Sequence, residues 1–294
     1  MLWQRVYKVD FPDIGYTVDK LRVSFAVDKD LTEESNKATI RIYNLSPENR
    51  ARLEKPDLRA DLYAGYAADS GTIRLFSGTT IQAFSEDRGA DVVTELRFSD
   101  GQINLRDSIV SVSFSPGTSG ETALREVADE MGLTVQLGAG VQFAAYPGGF
   151  SYVGYGRNAL TEICAASGLS WSVQNGILQV ILAGGTTGVR GLVFASDSGL
   201  IGSPRRIIRS NPRADKETEK RARRRKSGKE KPEKQAGWTI TTLLAPTVIP
   251  GDLVKVESRM TTGWFRVEAV RHSGDSHGGD WTSEMDLIER EKAQ

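Results

Sequence analysis

Apolar and polar residues alternate with a period of two over much of residues 1–114. The runs "KLRVSFAVDK", "NKATIRIYNLS", "RADLYAGYA", "TIRLFSGTTIQAFSED" and "DVVTELRFSDG" are separated by turn-forming clusters roughly every ten residues. That rhythm predicts half-buried strands in a barrel or sandwich. Within "ATIRIYNLS", Ala38, Ile40 and Ile42 share one face, and Arg41 and Tyr43 take the other. "SPENRARLEK" breaks the alternation and predicts a short helix. Ser46 is placed to cap it, Pro47 suits its first position and Leu53 faces inward.

The period changes over residues 118–182. "TSGETALREVADEMGLTVQL" places Leu124, Val127, Ala128 and Met131 at helical spacing, and Gly132 supplies the left-handed stop. The design returns 36 residues later. Ala, Leu, Glu, Gly and Leu recur in register at 123/159, 124/160, 126/162, 132/168 and 133/169. The pattern predicts two helix–Gly–strand units, each burying one helical face against a small sheet. "NGILQVI" after the second unit predicts a hairpin on the two-residue turn Asn175-Gly176.

Residues 186–203 are rich in Gly and Ser with short apolar pieces. Residues 204–236 have almost no apolar content after Ile208, which predicts a long exposed loop or a fraying helix within 214–226. From 237 the alternation resumes in "GWTITTLL", "GDLVKVES", "GWFRVEAVRHSG" and "DWTSEMDLIE", four further strands. The expected organisation is mainly β with an α/β insert: a β-barrel domain at 1–115, a small α/β module at 116–185, and a second β-barrel domain at 186–294 with a basic insertion at about 204–236.

Charge sharpens this picture. The 294 residues carry 38 Lys/Arg and 38 Asp/Glu, a net charge of zero. Residues 204–234 hold 14 Lys/Arg against 5 Asp/Glu, a local charge of +9 that the remaining residues, 24 against 33, cancel. Arg221, Arg223, Arg224, Arg225 and Lys226 form the densest part and are the candidate electrostatic contact. No aromatic residue interleaves there, so base stacking is not supported. No apolar run approaches the roughly 20 residues of a membrane helix, and no signal-peptide pattern opens the chain. A single cysteine, Cys164, excludes an internal disulfide framework and sits at an inward helical position.

Candidate chemistry is sparse. The two histidines, His272 and His277, both fall in "HSGDSHGGDW" beside Asp275 and Asp280. The atom types suit a metal, but the glycines describe a hairpin connection rather than a helix that would converge the ligands. No nucleophile elbow, P-loop or dinucleotide fingerprint is present. No catalytic residue, metal ligand or cofactor is assigned.

Three stretches together resemble the baseplate hub proteins of tailed bacteriophages, which are related to the hub part of contractile injection spikes. They are "NKATIRIYNLSPENRARLEK", "GETALREVADEMGLTV" with "GRNALTEICAASGLSWSVQNGILQVI", and "TTLLAPTVIPGDLVKVES" with "GWFRVEAVRHSGDSHGGDW". The resemblance implies a non-enzymatic homotrimer at the tail tip, assembled in the host cytoplasm. Two tube-like barrels per subunit would match a six-fold tube above and a three-fold spike below. The implied partners are a tail tube or adaptor protein, a spike protein, a tape-measure protein and, in passing, DNA in the channel. No membrane insertion is expected. Some hubs carry a fused peptidoglycan-cleaving domain; "LIEREKAQ", directly after the last expected strand, predicts none here. A distal tail or tail-tube-like protein, a cell-wall glycan-degrading enzyme and a nucleic-acid-binding protein acting through the basic loop stand as alternatives.

Overall fold

The computed structural model describes residues 4–69, 71–210 and 234–289. The alternating runs become strands: β1 (Arg5–Phe11), β2 (Tyr16–Val18), β3 (Val23–Asp30), β4 (Lys37–Tyr43), β5 (Arg59–Tyr66), β6 (Gly71–Arg88) and β7 (Asp91–Ser99). Helix α1 (Pro47–Leu53) interrupts them as expected, with Ser46 Oγ accepting the Asn49 N–H at 3.3 Å and Leu53 fully buried. A helix the alternation did not announce, α2 (Gln102–Asp107), follows β7.

The middle of the chain holds β8 (Ile109–Phe114), β9 (Thr118–Ser119), α3 (Gly120–Glu130), β10 (Thr134–Leu137), β11 (Ala145–Tyr146), β12 (Phe150–Tyr155), α4 (Gly156–Ala166), β13 (Leu169–Gln174) and β14 (Ile177–Leu182). The internal repeat is real in three dimensions. Ala123, Leu124, Val127 and Ala128 of α3, and Ala159, Leu160, Ile163 and Cys164 of α4, are all buried in one apolar cluster. Gly132 and Gly168 both end their helices at positive φ, 68° and 64°. The two units share β14: β10 pairs with it in parallel and β13 antiparallel. Antiparallel β8 and β12 form a separate ribbon.

The last part comprises β15 (Arg190–Ala195), β16 (Leu200–Ser210), β17 (Lys234–Leu243), β18 (Leu253–Glu257), β19 (Thr262–Asp275) and β20 (Trp281–Glu289). Two of these strands were hidden by composition. β15 and β16 lie partly in the Gly/Ser-rich stretch, and β16 carries the start of the basic run into the sheet. The segment read as loop or helix, 214–226, lies outside the described residues.

The mainly β architecture with its α/β insert is as expected, but the strands do not form two separate closed barrels. Among the described residues they make one 13-stranded sheet with the path β16-β17-β20-β19-β3-β4-β7-β6-β5-β1-β2, and β15 and β18 attached through β19. β19 is the shared strand. Its first part, up to Arg266, pairs with β18, and from Ala269 the same edge pairs with β3. β20 follows its other edge on both sides of a register shift between Val267 and Ala269. A bulge there bends the strand and increases its twist, which lets one strand serve two curved sheets. The β cores remain distinct. One gathers residues of β1–β7 and receives Leu244 and Trp281 from the last part of the chain; the other gathers residues of β15, β17, β18, β19 and β20. Leu105, Val110 and Val112 already belong to the core of the α/β insert.

Candidate functional site

The histidine-bearing stretch is a structural joint. Asp275 ends β19 and accepts Arg22 at 2.7 Å and the His277 N–H at 2.9 Å. Burial opposes charge on Asp275, yet Arg22 and the His277 N–H outweigh it and hold the carboxyl below the usual carboxylate range. Ser276 exchanges two hydrogen bonds with the backbone of Val23, and Arg5 donates to the carbonyls of Asp275 and Gly279, both at 2.9 Å. The turn thus ties the C-terminal strands to β1 and β3. Behind it Phe25 and Trp281 meet edge to face at 5.4 Å. Gly274 is needed there, because a Cβ would fall 2.3 Å from the Phe25 ring.

The two histidines do not converge. His277 is exposed, with Nδ1 3.0 Å from Ser276 Oγ. His272 is fully buried, with Nδ1 2.7 Å from Ser283 Oγ and Nε2 without a hydrogen-bond partner. Burial first, and Lys29 second, push its pKa down to about 3. It is a neutral core imidazole. Among the described residues no group of three or more His, Cys, Asp or Glu side chains is arranged to hold a metal.

Sequence reasoning missed a second joint, where the α/β insert meets the large sheet. The Asn175-Gly176 turn has the positive φ values, 54° and 78°, that a two-residue hairpin requires. Its two N–H groups point at the buried Asp100 carboxylate, with Gly176 N at 2.8 Å and Asn175 N on the other oxygen. Lys29 Nζ donates to Asn175 Oδ1 at 3.1 Å. Asn36 donates to the carbonyl of Val173 and to Gln174, whose own amide reaches the Asp30 carbonyl at 2.7 Å. Burial pushes the Lys29 amine down to about 8, against the attraction of Asp100. Burial likewise raises Asp100, with Lys29 and the turn N–H groups opposing it. A signal was available: Val23, Phe25 and Val27 are the inward positions of β3, and Lys29 is the next in that alternation.

The opposite face of the sheet is polar across seven strands and its charges are paired. Arg271 lies opposite both Asp28 and Glu284, with Nε 2.8 Å from Asp28. Arg205 reaches Glu284 at 3.2 Å, Thr239 donates to Asp286 at 2.6 Å, and Arg41 and Arg97 clamp Glu95 at 2.7 and 2.8 Å. A cavity of about 280 Å³ opens here beside Asp28, Asp30, Arg271, Glu284 and Asp286. The exposed pairs add little stability, about 0–1 kcal/mol each, whereas Glu95 is buried beneath its two arginines. What they provide is a hydrated surface. Arg221, Arg223, Arg224, Arg225 and Lys226 lie outside the described residues, so their relation to this face is not part of the geometry.

No known family profile matches this chain, and no curated protein is similar to it in sequence. Solved structures are. The 43 kDa tail protein of prophage MuSo2 from Shewanella oneidensis superposes with a TM-score of 0.66 over 98% of this chain and 97% of its own, at 11% identity. A tail protein from Neisseria meningitidis gives 0.65 over 98% and 97%, at 15% identity. This chain has the fold of phage tail proteins. An Escherichia coli component of the type VI secretion system, described as structurally similar to T4 bacteriophage tail proteins, gives 0.58 over 92% of this chain and 74% of its own, at 12% identity. The likeness spans the insert as well as both β regions.

Proposed function

We propose that this protein is a structural component of a phage tail baseplate, the trimeric hub that joins a six-fold tail tube to a three-fold spike. The observation that carries the reading is the single sheet that runs through both β regions on the shared strand β19 and presents one polar, charge-paired face. In this reading the two β units fixed on one strand each offer a surface to the tube, two per subunit. Three subunits then offer six such surfaces to a tube while keeping three-fold symmetry below. The full-length overlap with tail proteins supports the same reading.

In this reading the polar face lines the channel, and a tail tube or adaptor protein, a spike protein and the tape-measure protein are the neighbours. The limits 1–115, 116–185 and 186–294 mark the tube units and the insert, with Leu105, Val110 and Val112 before residue 116 already packed into the insert's core. The work is mechanical, not enzymatic, and takes place at the tail tip of the virion after assembly in the host cytoplasm. Arg221, Arg223, Arg224, Arg225 and Lys226 make electrostatic contact with an acidic neighbour or passing DNA. No helix among the described residues is long and apolar enough to cross a membrane.

Mass measurement and imaging of the purified chain test the reading. The expected particle is a three-fold ring with a central channel. A chain that stays monomeric both alone and with tail-tube and spike proteins overturns it. Deleting residues 212–234 is expected to impair infectivity or baseplate assembly; unchanged values for both would remove the contact assigned to the basic run.

A further inference from the structure

Lys29 is a buried amine that faces an amide rather than a carboxylate. It is 3% exposed, and among the described residues its nitrogen makes one hydrogen bond, to Asn175 Oδ1 at 3.1 Å, and no direct ion pair. The carboxylate that attracts it, Asp100, is itself buried and turned to other donors. Its two oxygens accept the N–H groups of Asn175 and Gly176. A buried lysine that needed only its charge balanced would sit directly on that carboxylate. Here the amide carbon of Asn175, Cγ, lies one bond beyond the oxygen that Lys29 touches. Asn175 is held in place, at φ 54° in a turn whose preceding strand is tied to Asp30 and Asn36 through Gln174 and Val173.

An amine, a primary amide and a carboxyl group at one joint are the two reactants and the proton carrier of an amide exchange. We propose that Lys29 Nζ and Asn175 Cγ join in an isopeptide bond, formed by the folded chain itself with release of ammonia. The ammonium of Lys29 first gives a proton to the Asp100 carboxylate. Burial favours the neutral form of both groups: it pushes the amine down to about 8, with Arg74 adding to that and Asp100 opposing it, and it raises Asp100. His272, the other titratable group that senses Lys29, is neutral. The lone pair of the neutral amine then attacks Cγ, and the carbonyl π pair moves onto Oδ1. Asp100 passes its proton to the amide nitrogen and takes one from the former amine. The bond from Cγ to the amide nitrogen breaks, the carbonyl re-forms, NH3 leaves and Asp100 ends as the acid. No oxidant and no further reactant is consumed. Reactants held in contact by a fold need no encounter step. The bond ties β3 of the large sheet to the β13–β14 turn of the insert, 146 residues apart in sequence. It does not depend on the hub reading.

The test is the mass of the full chain, measured denatured after the folded protein has stood at pH 9, where the Lys29 amine is mostly neutral. The main species is expected to be lighter than the encoded mass by one ammonia, about 17 Da. Trypsin is expected to release a branched peptide that joins Lys29 to Asn175. Lys29→Met and Asn175→Gly are each expected to stay at their encoded mass. Asp100→Asn keeps an acceptor oxygen for the turn; it is expected to retain the circular dichroism spectrum and to cross-link at least about tenfold more slowly. A wild-type chain that remains at its encoded mass overturns the proposal. So does a lighter chain that yields only linear peptides and loses the same mass in Lys29→Met, because that reports ring closure by the Gly176 nitrogen on the same amide. Cross-linking of Asp100→Asn at the wild-type rate overturns the proton transfer assigned to Asp100.

Discussion

His272 makes the acid stability of this protein a direct test of its core. The ring is fully buried between strands, it holds Ser283 Oγ at 2.7 Å, and its pKa is pushed down to about 3. In the unfolded chain the same imidazole binds a proton near pH 6.5. The folded pKa of this base lies below the unfolded one. Its contribution to stability is therefore intact above pH 6.5 and is lost progressively as the pH falls toward 3. One pKa unit corresponds to about 1.4 kcal/mol, so at pH 4 the loss is roughly 3 kcal/mol. His272→Gln removes the titration while leaving a polar side chain. At pH 7.5 the variant should be less stable by about 1–2 kcal/mol, the value of a buried hydrogen bond and some packing. At pH 4 the order should reverse by a similar amount. Urea unfolding of both proteins at pH 7.5, 6, 5 and 4, followed by tryptophan fluorescence, measures the gap, and carboxylates that titrate in both proteins cancel from it. A gap that stays constant from pH 7.5 to pH 4 would refute the reasoning, since it would mean that the native imidazole accepts a proton as readily as the unfolded one.

Lys29 predicts the alkaline counterpart. Its amine is held at about 8 in the fold, so the stability of wild-type protein not yet cross-linked through Lys29 should rise by about 3 kcal/mol from pH 8 to 10.5, relative to a Lys29→Met/Asp100→Asn double variant measured in parallel. At the turn itself, Asn175→Gly and Asn175→Ala both remove the acceptor of Lys29, but only alanine is strained at φ 54°. Alanine should therefore cost about 1 kcal/mol more than glycine in chemical denaturation, and equal losses would deny the left-handed conformation. Gly156→Ala brings a Cβ within 2.5 Å of Met131 Sδ and should destabilise by about 1–3 kcal/mol. Combined with Met131→Ala it should cost clearly less than the sum of the two single variants, and additive losses would place the two residues apart.

What the sequence made legible follows from how local each signal is. The Ser46–Pro47 helix start, the two helix–Gly–strand units and the Asn175-Gly176 hairpin are each specified within a few residues, and each stands where its pattern put it. β15 and β16 were obscured because their glycines, serines and arginines describe a loop when taken one at a time. Their strand character comes from neighbours distant in sequence, β18 and β17. The histidine turn could be recognised as a turn. Its task of anchoring Arg5, Arg22 and Val23 from the other end of the chain could not.

The largest departure from expectation, one sheet in place of two separate barrels, has a single local origin. "TGWFRVEAVRHSGD" forms one strand of 14 residues whose inward positions change phase, from Phe265 and Val267 to Val270 and His272, and its pattern says nothing about which partner it keeps. The register shift between Val267 and Ala269 lets the strand exchange β18 for β3. Arg266 and Glu268 flank that point and pair at 2.6 Å, Arg266 almost wholly buried. The alternation also locates the joint that pattern alone cannot name. Lys29 and His272 occupy inward positions of adjacent strands near that exchange, where both β regions and the insert converge. Polar groups there cost stability, yet they couple three units through directional bonds that apolar packing would leave free to slide. Under the proposed hub reading, a subunit that presents two tube-like surfaces at a fixed angle needs that rigidity more than it needs the last few kcal/mol of core.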